Sequence, residues 1–269
     1  NSQEIIVRCN AGENWNNFVQ WTLNKQIGGL ENLVLIPGSV GGAPVQNIGA
    51  YGVEISKYIK YIHAWDFKKS KIIIFKNSEC KFKYRSSIFK EYNNENEVVY
   101  PRYLILSVDF LLKPIESSEL NVNYDGIKEQ LTGKPTPKKI AQIISDLRLK
   151  KLPDPSIEPN VGSFFINPQV DKNYAKKLKK LFPLMPQIKN EKNSKIKVSA
   201  AWLIEQCGFK GKRKKNVGIS SRHSLVLVNY KNASANEILS FAKEIQLAVQ
   251  AKFNIILNIE PFVIKISEK

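Results

Sequence analysis

The sequence predicts an α+β protein built from two domains. A chain of 269 residues is long enough to form two hydrophobic cores. Short β-rich runs dominate residues 1–112, whereas helical periodicity becomes frequent from residue 137 onward. Prolines at positions 153 and 155 end a helical pattern, so they predict a rigid connector between the two domains.

The first half is expected to contain mostly strands. Its predicted elements are, in order, a strand at 4–9, a helix capped by Asn14, strands within 54–75 and 98–112, an irregular stretch at 113–137 and a helix at 137–150. His63 lies in an aromatic and aliphatic strand, so we interpret it as a structural or surface histidine rather than a base.

The second half is expected to form a smaller α+β domain. Its predicted elements are an amphipathic helix at 171–182 with a lysine-rich solvated face, a helix at 199–208, a strand at 217–230 and a long helix at 233–253. Ser199 is the expected N-cap of the second helix, and Gly208 is its expected C′ residue.

One stretch, Ile36 to Gly52, organises the interpretation of the chain. It reads IPGSVGGAPVQNIGAYG and combines five glycines with two prolines. Glycine lets the backbone approach a ligand closely, and proline stiffens the chain. Such a loop suits a planar cofactor with polar edges, although a buried turn of an ordinary α/β protein has a similar composition. It contains neither a Rossmann fingerprint nor a P-loop.

The net charge of +17 leaves several explanations open. Lysine and arginine total 41 against 24 acidic residues, which could indicate nucleic-acid binding, attraction of small anions, or compositional drift towards lysine. The lysines are spread along the chain rather than gathered on one face, which favours drift and small anions. We therefore expect no nucleic-acid partner.

Cysteine usage and hydropathy favour a cytoplasmic location. The three cysteines lie far apart without metal-ligand spacing, so we expect reduced thiols and no metal site. No apolar run is long enough to span a bilayer, and the first ten residues have no signal-peptide pattern. These observations predict a chain with no membrane partner.

The glycine stretch resembles the flavin-embracing signature of the UDP-N-acetylenolpyruvoylglucosamine reductases, which reads close to IPGxVGxxPxQNIGAYG. The resemblance implies part of a flavin-binding domain of the vanillyl-alcohol-oxidase/p-cresol-methylhydroxylase type, with FAD as cofactor and NADPH as co-substrate. The cofactor-binding residues that it implies are Ile36, Pro37, Gly38, Ser39, Gly41, Gly42, Pro44, Gln46, Asn47, Gly49, Ala50, Tyr51 and Gly52.

Three distant motifs match the catalytic positions of that family. The run YRSSIFK carries Arg85, implied to contact the enolpyruvyl carboxylate, with Tyr84 beside it as a substrate contact. The run GSFFINP carries Ser163, implied to donate a proton to the substrate carbon. Glu260 falls on the catalytic glutamate, and the three residues are expected to converge beside the flavin.

Further matches imply contacts to the nucleotide-sugar or to NADPH. Tyr124 corresponds to the tyrosine of a mobile loop in the larger type of reductase, and an ordinary loop tyrosine is an equal alternative. The run RLKKLPDP aligns Arg148 and Lys151 with basic positions of the family. Asn167 matches a substrate-contacting amide, and His223 lies where relatives carry His or Gln.

The match also has gaps. The family's glycine-rich diphosphate loop has no counterpart before residue 1, so a first FAD lobe is expected to be truncated or lost. The family's Glu-Val-Arg run is replaced by Glu260-Pro261-Phe262. We predict residues 1–152 as the second FAD lobe, 153–254 as the substrate domain and 255–269 as a strand returning to the FAD domain.

The implied function is NADPH-dependent, FAD-mediated reduction of UDP-N-acetylglucosamine enolpyruvate to UDP-N-acetylmuramate, a step of peptidoglycan precursor synthesis. The implied partners are small molecules, and a monomer is expected. Two alternatives stay open, a basic nucleic-acid-binding protein and a noncatalytic relative that binds a UDP-sugar.

Overall fold

The structure, a computed structural model, describes residues 4–90, 92–95, 98–189 and 195–263. The chain divides into two compact units. Unit 1 extends to Arg148 and unit 2 comprises Leu149–Val263.

Unit 1 is built around an antiparallel sheet. Its strands are β1 (Ile5–Asn10), β2 (Ile27–Gly28), β3 (Gly49–Ala50), β4 (Val53–Glu54), β5 (Ile59–Asp66), β6 (Lys71–Lys76), β7 (Tyr92–Glu95), β8 (Val98–Pro101) and β9 (Tyr103–Pro114). The main sheet has the order β1-β9-β5-β6, and β2 pairs with the end of β9. β3 pairs with β4, and β7 pairs with β8.

Residue alternation explains the two faces of this sheet. In β1 the odd-numbered side chains are half-buried and the even-numbered ones are exposed, as expected for period-2 patterning. On the outer face Arg8 of β1 donates two hydrogen bonds to buried Asp109 of β9, at 2.6 and 2.8 Å. His63 Nε2 of β5 lies 3.1 Å from the same carboxylate, so this histidine has a structural partner.

The helices of unit 1 are α1 (Trp15–Asn24), α2 (Gly42–Val45), α3 (Asp125–Lys128) and α4 (Pro137–Lys151), whose last three residues are assigned to unit 2. The Asn14 side chain accepts a hydrogen bond from the Asn17 N–H, which confirms it as the N-cap of α1. Trp15 is fully buried, packs against Phe18 and Phe110, and donates to the Leu33 carbonyl oxygen at 2.8 Å. This cluster lies between α1 and the inner face of the sheet.

Unit 2 combines two small antiparallel sheets with three helices among its described residues. The strands are β10 (Asn160–Ser163), β11 (Gln169–Asp171), β12 (Gln187–Lys189), β13 (Lys195–Val198), β14 (Arg213–Lys214), β15 (Val217–Ile219) and β16 (Val226–Asn229). The sheets have the orders β10-β16-β15-β14 and β11-β13-β12. The helices are α5 (Lys172–Leu181), α6 (Ala200–Gln206) and α7 (Ala235–Phe253).

Helix caps in unit 2 follow the sequence signals closely. Ser199 accepts from the Trp202 N–H at the start of α6, and Gly208 after its end has φ +75°, as predicted. The single strand predicted at 217–230 is wrong, because a turn that contains Ser220 and His223 splits it into β15 and β16. The α+β class predicted from the sequence is confirmed.

Candidate functional site

The first part of the glycine stretch is hydrogen-bonded to the turn between β1 and α1. Trp15 N donates to Gly38 O at 3.0 Å, and Val40 N donates to Glu13 O at 2.9 Å. These two bonds flank the antiparallel pair formed by Asn14 and Ser39. In such a pair the peptide groups point away from the partner strand, so the Ser39 N–H points outward.

Glycine is required at two positions of the stretch for different physical reasons. A Cβ on Gly41 would lie 2.6 Å from the Ala11 Cβ, so this glycine permits close packing against the chain. Gly38 has φ +120°, a value that other residues rarely adopt, and a Cβ built there would face open space. Glycine at 38 therefore serves the backbone conformation of an exposed turn.

Asn47 fixes the second part of the stretch. It is almost fully buried, has φ +45° and uses both ends of its amide. Its Nδ2 donates to Glu54 Oε2 at 3.0 Å and to Lys83 O at 3.1 Å, and its Oδ1 accepts from Ser56 N at 3.0 Å. One side chain thus joins three segments of unit 1 around the loop.

Two asparagines that sequence reasoning missed hold the end of the stretch. Buried Asn32 donates to the carbonyl oxygens of Tyr51 and Asn121, at 3.1 and 3.0 Å. Asn121 donates to the Gly52 carbonyl oxygen at 3.0 Å. No local pattern identifies either residue, because Asn32 and Asn121 are 89 positions apart and only the fold brings them together.

Arg85 lies against the same loop. Its Nη2 donates to Gly49 O at 2.7 Å, and a Cβ on Gly49 would lie 3.1 Å from its Nη1. Arg85 has φ +54° and its guanidinium carbon is 5.1 Å from the centre of the Tyr84 ring. Ser87 Oγ donates to Val45 O at 2.7 Å, which fastens the YRSSIFK segment to the loop a second time.

Tyr124 and Arg148 both adjoin Tyr51 at the end of the stretch. The Tyr124 and Tyr51 rings meet edge to face with centres 5.0 Å apart, and 44% of Tyr124 is exposed. Burial raises the pKa of Tyr51, and the nearby Arg148 charge opposes that rise. Burial also lowers the pKa of the Arg148 guanidinium. Tyr124, one of the predicted substrate-contacting residues, therefore adjoins the predicted cofactor loop within unit 1.

The residues of this region fit a flavin. A stiff turn with an outward-pointing N–H at Ser39 and open space above Gly38 can receive a planar group with polar edges. Arg85 adds a cation beside Gly49. The individual contacts of the thirteen predicted cofactor residues remain predictions.

In unit 2, Ser163 is the last residue of β10. Ser163 pairs with Val226 of β16 and is exposed. The preceding Gly162 has φ +75° with open space at its Cβ position. The following Phe164 and Phe165 are both buried in the core of unit 2. The chain therefore turns at Gly162 and presents the serine at the end of a strand anchored by two aromatic rings.

Glu260 lies on a segment that pairs with the residues just after Ser163. Glu260 N donates to Phe164 O and Ile166 N donates to Asn258 O, both at 2.9 Å. Phe165 forms a β-bridge with Ile259. The structure thus brings two of the predicted catalytic residues onto neighbouring segments of unit 2. Pro261 lies just after this bridge and outside the described strands, so it does not interrupt any of them.

Two further residues of unit 2 that are predicted to contact substrate have different surroundings. Asn167 Oδ1 accepts from Ala200 N at 2.9 Å, so this amide already supports the start of α6. Lys151 is the exposed last residue of α4. Their roles towards substrate remain predictions.

His223 lies in the turn between β15 and β16. Its Nδ1 accepts from Leu225 N at 3.2 Å, which leaves the proton of the neutral ring on Nε2. Burial lowers the pKa of His223, and the charges of Lys151 and Lys210 lower it further. A neutral imidazole beside two lysines has a donor available for a ligand.

Two features are not found in the part of the chain that the structure describes. No group of three His, Cys, Asp or Glu side chains is arranged to hold a metal ion there. No helix within the described ranges combines the length and apolarity needed to cross a bilayer. The cysteines Cys9, Cys80 and Cys207 are free thiols.

Two family profiles match this chain. Residues 154–264 match the C-terminal domain of UDP-N-acetylenolpyruvoylglucosamine reductase, and residues 1–75 match an FAD binding domain. The second match contains the whole stretch Ile36–Gly52. It confirms FAD as the cofactor and, with the curated relatives below, identifies the chain as a flavoprotein oxidoreductase.

Curated relatives with high similarity carry one enzyme name. A UDP-N-acetylenolpyruvoylglucosamine reductase from Xylella fastidiosa (strain M12) is 43% identical over 259 residues, which are 95% of this chain and 71% of the relative. The reductase of the same name from Xanthomonas campestris pv. campestris (strain B100) is 41% identical over 267 residues, with 98% and 74% covered.

A solved structure has a similar fold. The UDP-N-acetylenolpyruvylglucosamine reductase (MurB) from Thermus caldophilus superposes with a TM-score of 0.61 at 22% identity, covering 94% of this chain and 71% of that one. Sequence identity to the curated relatives, together with both profile matches, establishes the relationship predicted from the glycine stretch. The chain belongs to the UDP-N-acetylenolpyruvoylglucosamine reductase family.

Proposed function

We propose that this protein catalyses the NADPH-dependent reduction of UDP-N-acetylglucosamine enolpyruvate to UDP-N-acetylmuramate, a step in the synthesis of peptidoglycan precursors. The observation that carries the proposal is the hydrogen bond from Arg85 to Gly49, which joins the arginine of one motif to the predicted cofactor loop. The shared name of the relatives supports the same substrate class.

Bound FAD, reduced by NADPH, supplies a hydride to one carbon of the substrate alkene. The loop Ile36–Gly52 would hold its ring. Arg85 would stabilise the negative charge that develops on the substrate carboxylate, a role worth about 3 kcal/mol by analogy with oxyanion-hole donors. Its planar fork suits a carboxylate better than a lysine ammonium does.

Ser163 would protonate the neighbouring carbon. A serine hydroxyl is a weak acid, so it works as a donor only towards a strongly basic intermediate or next to a cation. Lys151 is our candidate for that cation. Glu260, on the segment paired with Phe164, would orient the carboxylate or share its proton.

Substrate recognition is assigned to five side chains. Tyr84 lies beside the Arg85 guanidinium, and exposed Tyr124 adjoins the loop at Tyr51. His223 can donate from Nε2 to an anionic group, with Lys151 close enough to influence its charge state. Asn167 completes the set. We further infer that the enzyme acts as a monomer in the cytoplasm, which the three free thiols support.

Stopped-flow measurement of the two half-reactions tests this assignment. Ser163→Ala should leave reduction of the flavin by NADPH unchanged, while reoxidation by the enolpyruvyl substrate should slow by about 10²- to 10⁴-fold. Ser240→Ala removes the same atom from an exposed serine of α7 and should change neither half-reaction.

Other results would contradict the proposal in distinct ways. Equal loss of both half-reactions in Ser163→Ala would remove this serine from the proton-donor role. A parent protein that binds the UDP-sugar without reoxidising its flavin would instead be a noncatalytic relative, as the altered run Glu260-Pro261-Phe262 allows.

A further inference from the structure

The outer face of α5 is composed of lysine. Helix α5 buries Ala175 and Leu178 against the core of unit 2. The rest of its surface carries Asn173, half-buried Tyr174 and five lysines, Lys172, Lys176, Lys177, Lys179 and Lys180, and exposed Asp171 is its N-cap. A lysine-rich solvated face is common on surface helices and does not by itself indicate a partner.

The end of α5 adds a feature that a purely solvated face lacks. Leu181, the last residue of the helix, is 72% exposed, and Leu184 in the following turn is 87% exposed. They are among the most exposed large apolar side chains of the described residues. Lys177 lies one helical turn before Leu181, and Lys180 is adjacent to it. Two projecting leucines therefore stand among the cations.

The charge of this face is not neutralised within the described part of the chain. Elsewhere in unit 2, lysines find acidic partners, as Lys210 does with Glu205 and Lys214 does with Glu244. None of the five α5 lysines forms an ion pair with a described residue. The ammonium of Lys179 instead donates to the backbone oxygen of Met185, next to the exposed turn.

We propose that α5 and the turn that ends at Leu184 form a docking surface for an anionic lipid bilayer. Phospholipid headgroups of negative charge complement the five unpaired lysines, and the apolar boundary below them receives Leu181 and Leu184. A nucleic acid would complement the lysines equally well but offers no comparable place for two aliphatic side chains, and the exposed residues here are not the aromatic platforms that stack on bases.

This inference is independent of the catalytic assignment and revises an expectation from the sequence. The absence of a long apolar run argued against a membrane partner, but docking at an interface requires only a short amphipathic surface. Only the side chains of Leu181 and Leu184, and not the helix itself, would enter the bilayer. A bilayer-associated pool of the enzyme follows from the proposal.

Vesicle co-sedimentation of the whole chain tests it. The parent protein should sediment with vesicles made of equal parts phosphatidylcholine and phosphatidylglycerol, and remain in solution with pure phosphatidylcholine. The double variant L181S/L184S should bind the anionic vesicles at least about tenfold more weakly, because it loses the contacts that both leucines would make with the apolar part of the bilayer. The triple variant K176Q/K177Q/K180Q should lose binding similarly and show a smaller salt dependence.

Leu247→Ser is the matched control. Leu247 is an exposed leucine of α7 whose neighbours Lys243 and Glu244 have opposite charges, so its loss should not change vesicle binding. Anionic-vesicle binding that L181S/L184S leaves intact would overturn the proposal, since it would reflect only the +17 charge of the chain. Failure of the parent to bind would do the same, as would tighter binding to a single-stranded oligonucleotide that depends on the lysines alone.

Discussion

Unit 1 and unit 2 hold their candidate functional residues by different means. In unit 1 the second part of the glycine stretch is fastened by four side chains from three segments, namely Asn32, Arg85 and Ser87 of the YRSSIFK run, and Asn121. In unit 2 the segment after Ser163 is fastened mainly by backbone hydrogen bonds to Leu225, Asn258 and Glu260. Unit 1 therefore adds particular side chains to the backbone pairing of Gly38 and Val40, whereas unit 2 depends mainly on strand pairing.

This difference has a chemical reason. A cofactor site benefits from a preorganised backbone, because every group that is already ordered lowers the entropy cost of binding. A general acid needs an accessible position more than an immobile one, and Ser163 at an exposed strand end has that position. We therefore expect substitutions of the loop supports in unit 1 to act through stability and flavin retention, and substitutions around Ser163 in unit 2 to act through turnover.

Asn47→Ala should have the largest effect on stability. It removes a buried amide that makes three hydrogen bonds, each worth about 1 kcal/mol, so the free energy of unfolding should fall by about 3 kcal/mol. Flavin retention should fall with it. The matched change in unit 2, Asn167→Ala, removes the bond to Ala200 N and should cost about 1 kcal/mol. Urea unfolding monitors both, and equal losses would refute the contrast.

Gly162→Ala and Gly208→Ala separate geometry from stability. Both glycines have φ +75° and open space at the Cβ position, so each alanine should cost about 1 kcal/mol of backbone strain. Only Gly162 precedes the proposed acid. Gly162→Ala should therefore also slow substrate-dependent reoxidation, whereas Gly208→Ala should leave it unchanged. Identical kinetics in the two variants would mean that the turn at 162 does not aim Ser163.

His223→Gln should give the smallest effect on stability, and that effect should appear as a change in the pH dependence of stability. The folded-state pKa of His223 is lowered, so the unfolded chain binds its proton first as the pH falls below about 6.5. The stability of the parent should therefore fall on acidification below about pH 6.5, and the variant should lack this contribution. Thermal unfolding across the window measures the difference, and parallel curves would contradict the burial argument.

Sequence reasoning identified most local features of the fold and fewer of the contacts that assemble the site. Asn14, Ser199 and Gly208 were predicted correctly because capping is decided within one turn of a helix. The hairpin of β15 and β16 was missed because its turn residues lie within a run that is otherwise rich in β-formers. The YRSSIFK and GSFFINP motifs were found only through the resemblance.

The supports of the loop could not be predicted in the same way. Asn32 and Asn121 resemble ordinary turn asparagines in sequence, and their roles depend on β2, β9 and the loop being brought together by folding. The roles of Arg85, Ser163 and Glu260 remain predictions, and the kinetic experiments address that of Ser163.

The carboxylate of Asp109 acts as a clasp across the sheet of unit 1. It accepts from Arg8 on one neighbouring strand and lies within reach of His63 on the other, so one buried charge ties β1, β9 and β5 together. The hydrogen bonds from Arg8 lower the pKa of Asp109. The stabilisation from this ionised carboxylate is therefore fully present above about pH 4, and it is lost only as the pH falls through the still lower folded-state pKa. As the pH falls, protonation of His223 therefore begins to destabilise unit 2 at a higher pH than protonation of Asp109 destabilises unit 1.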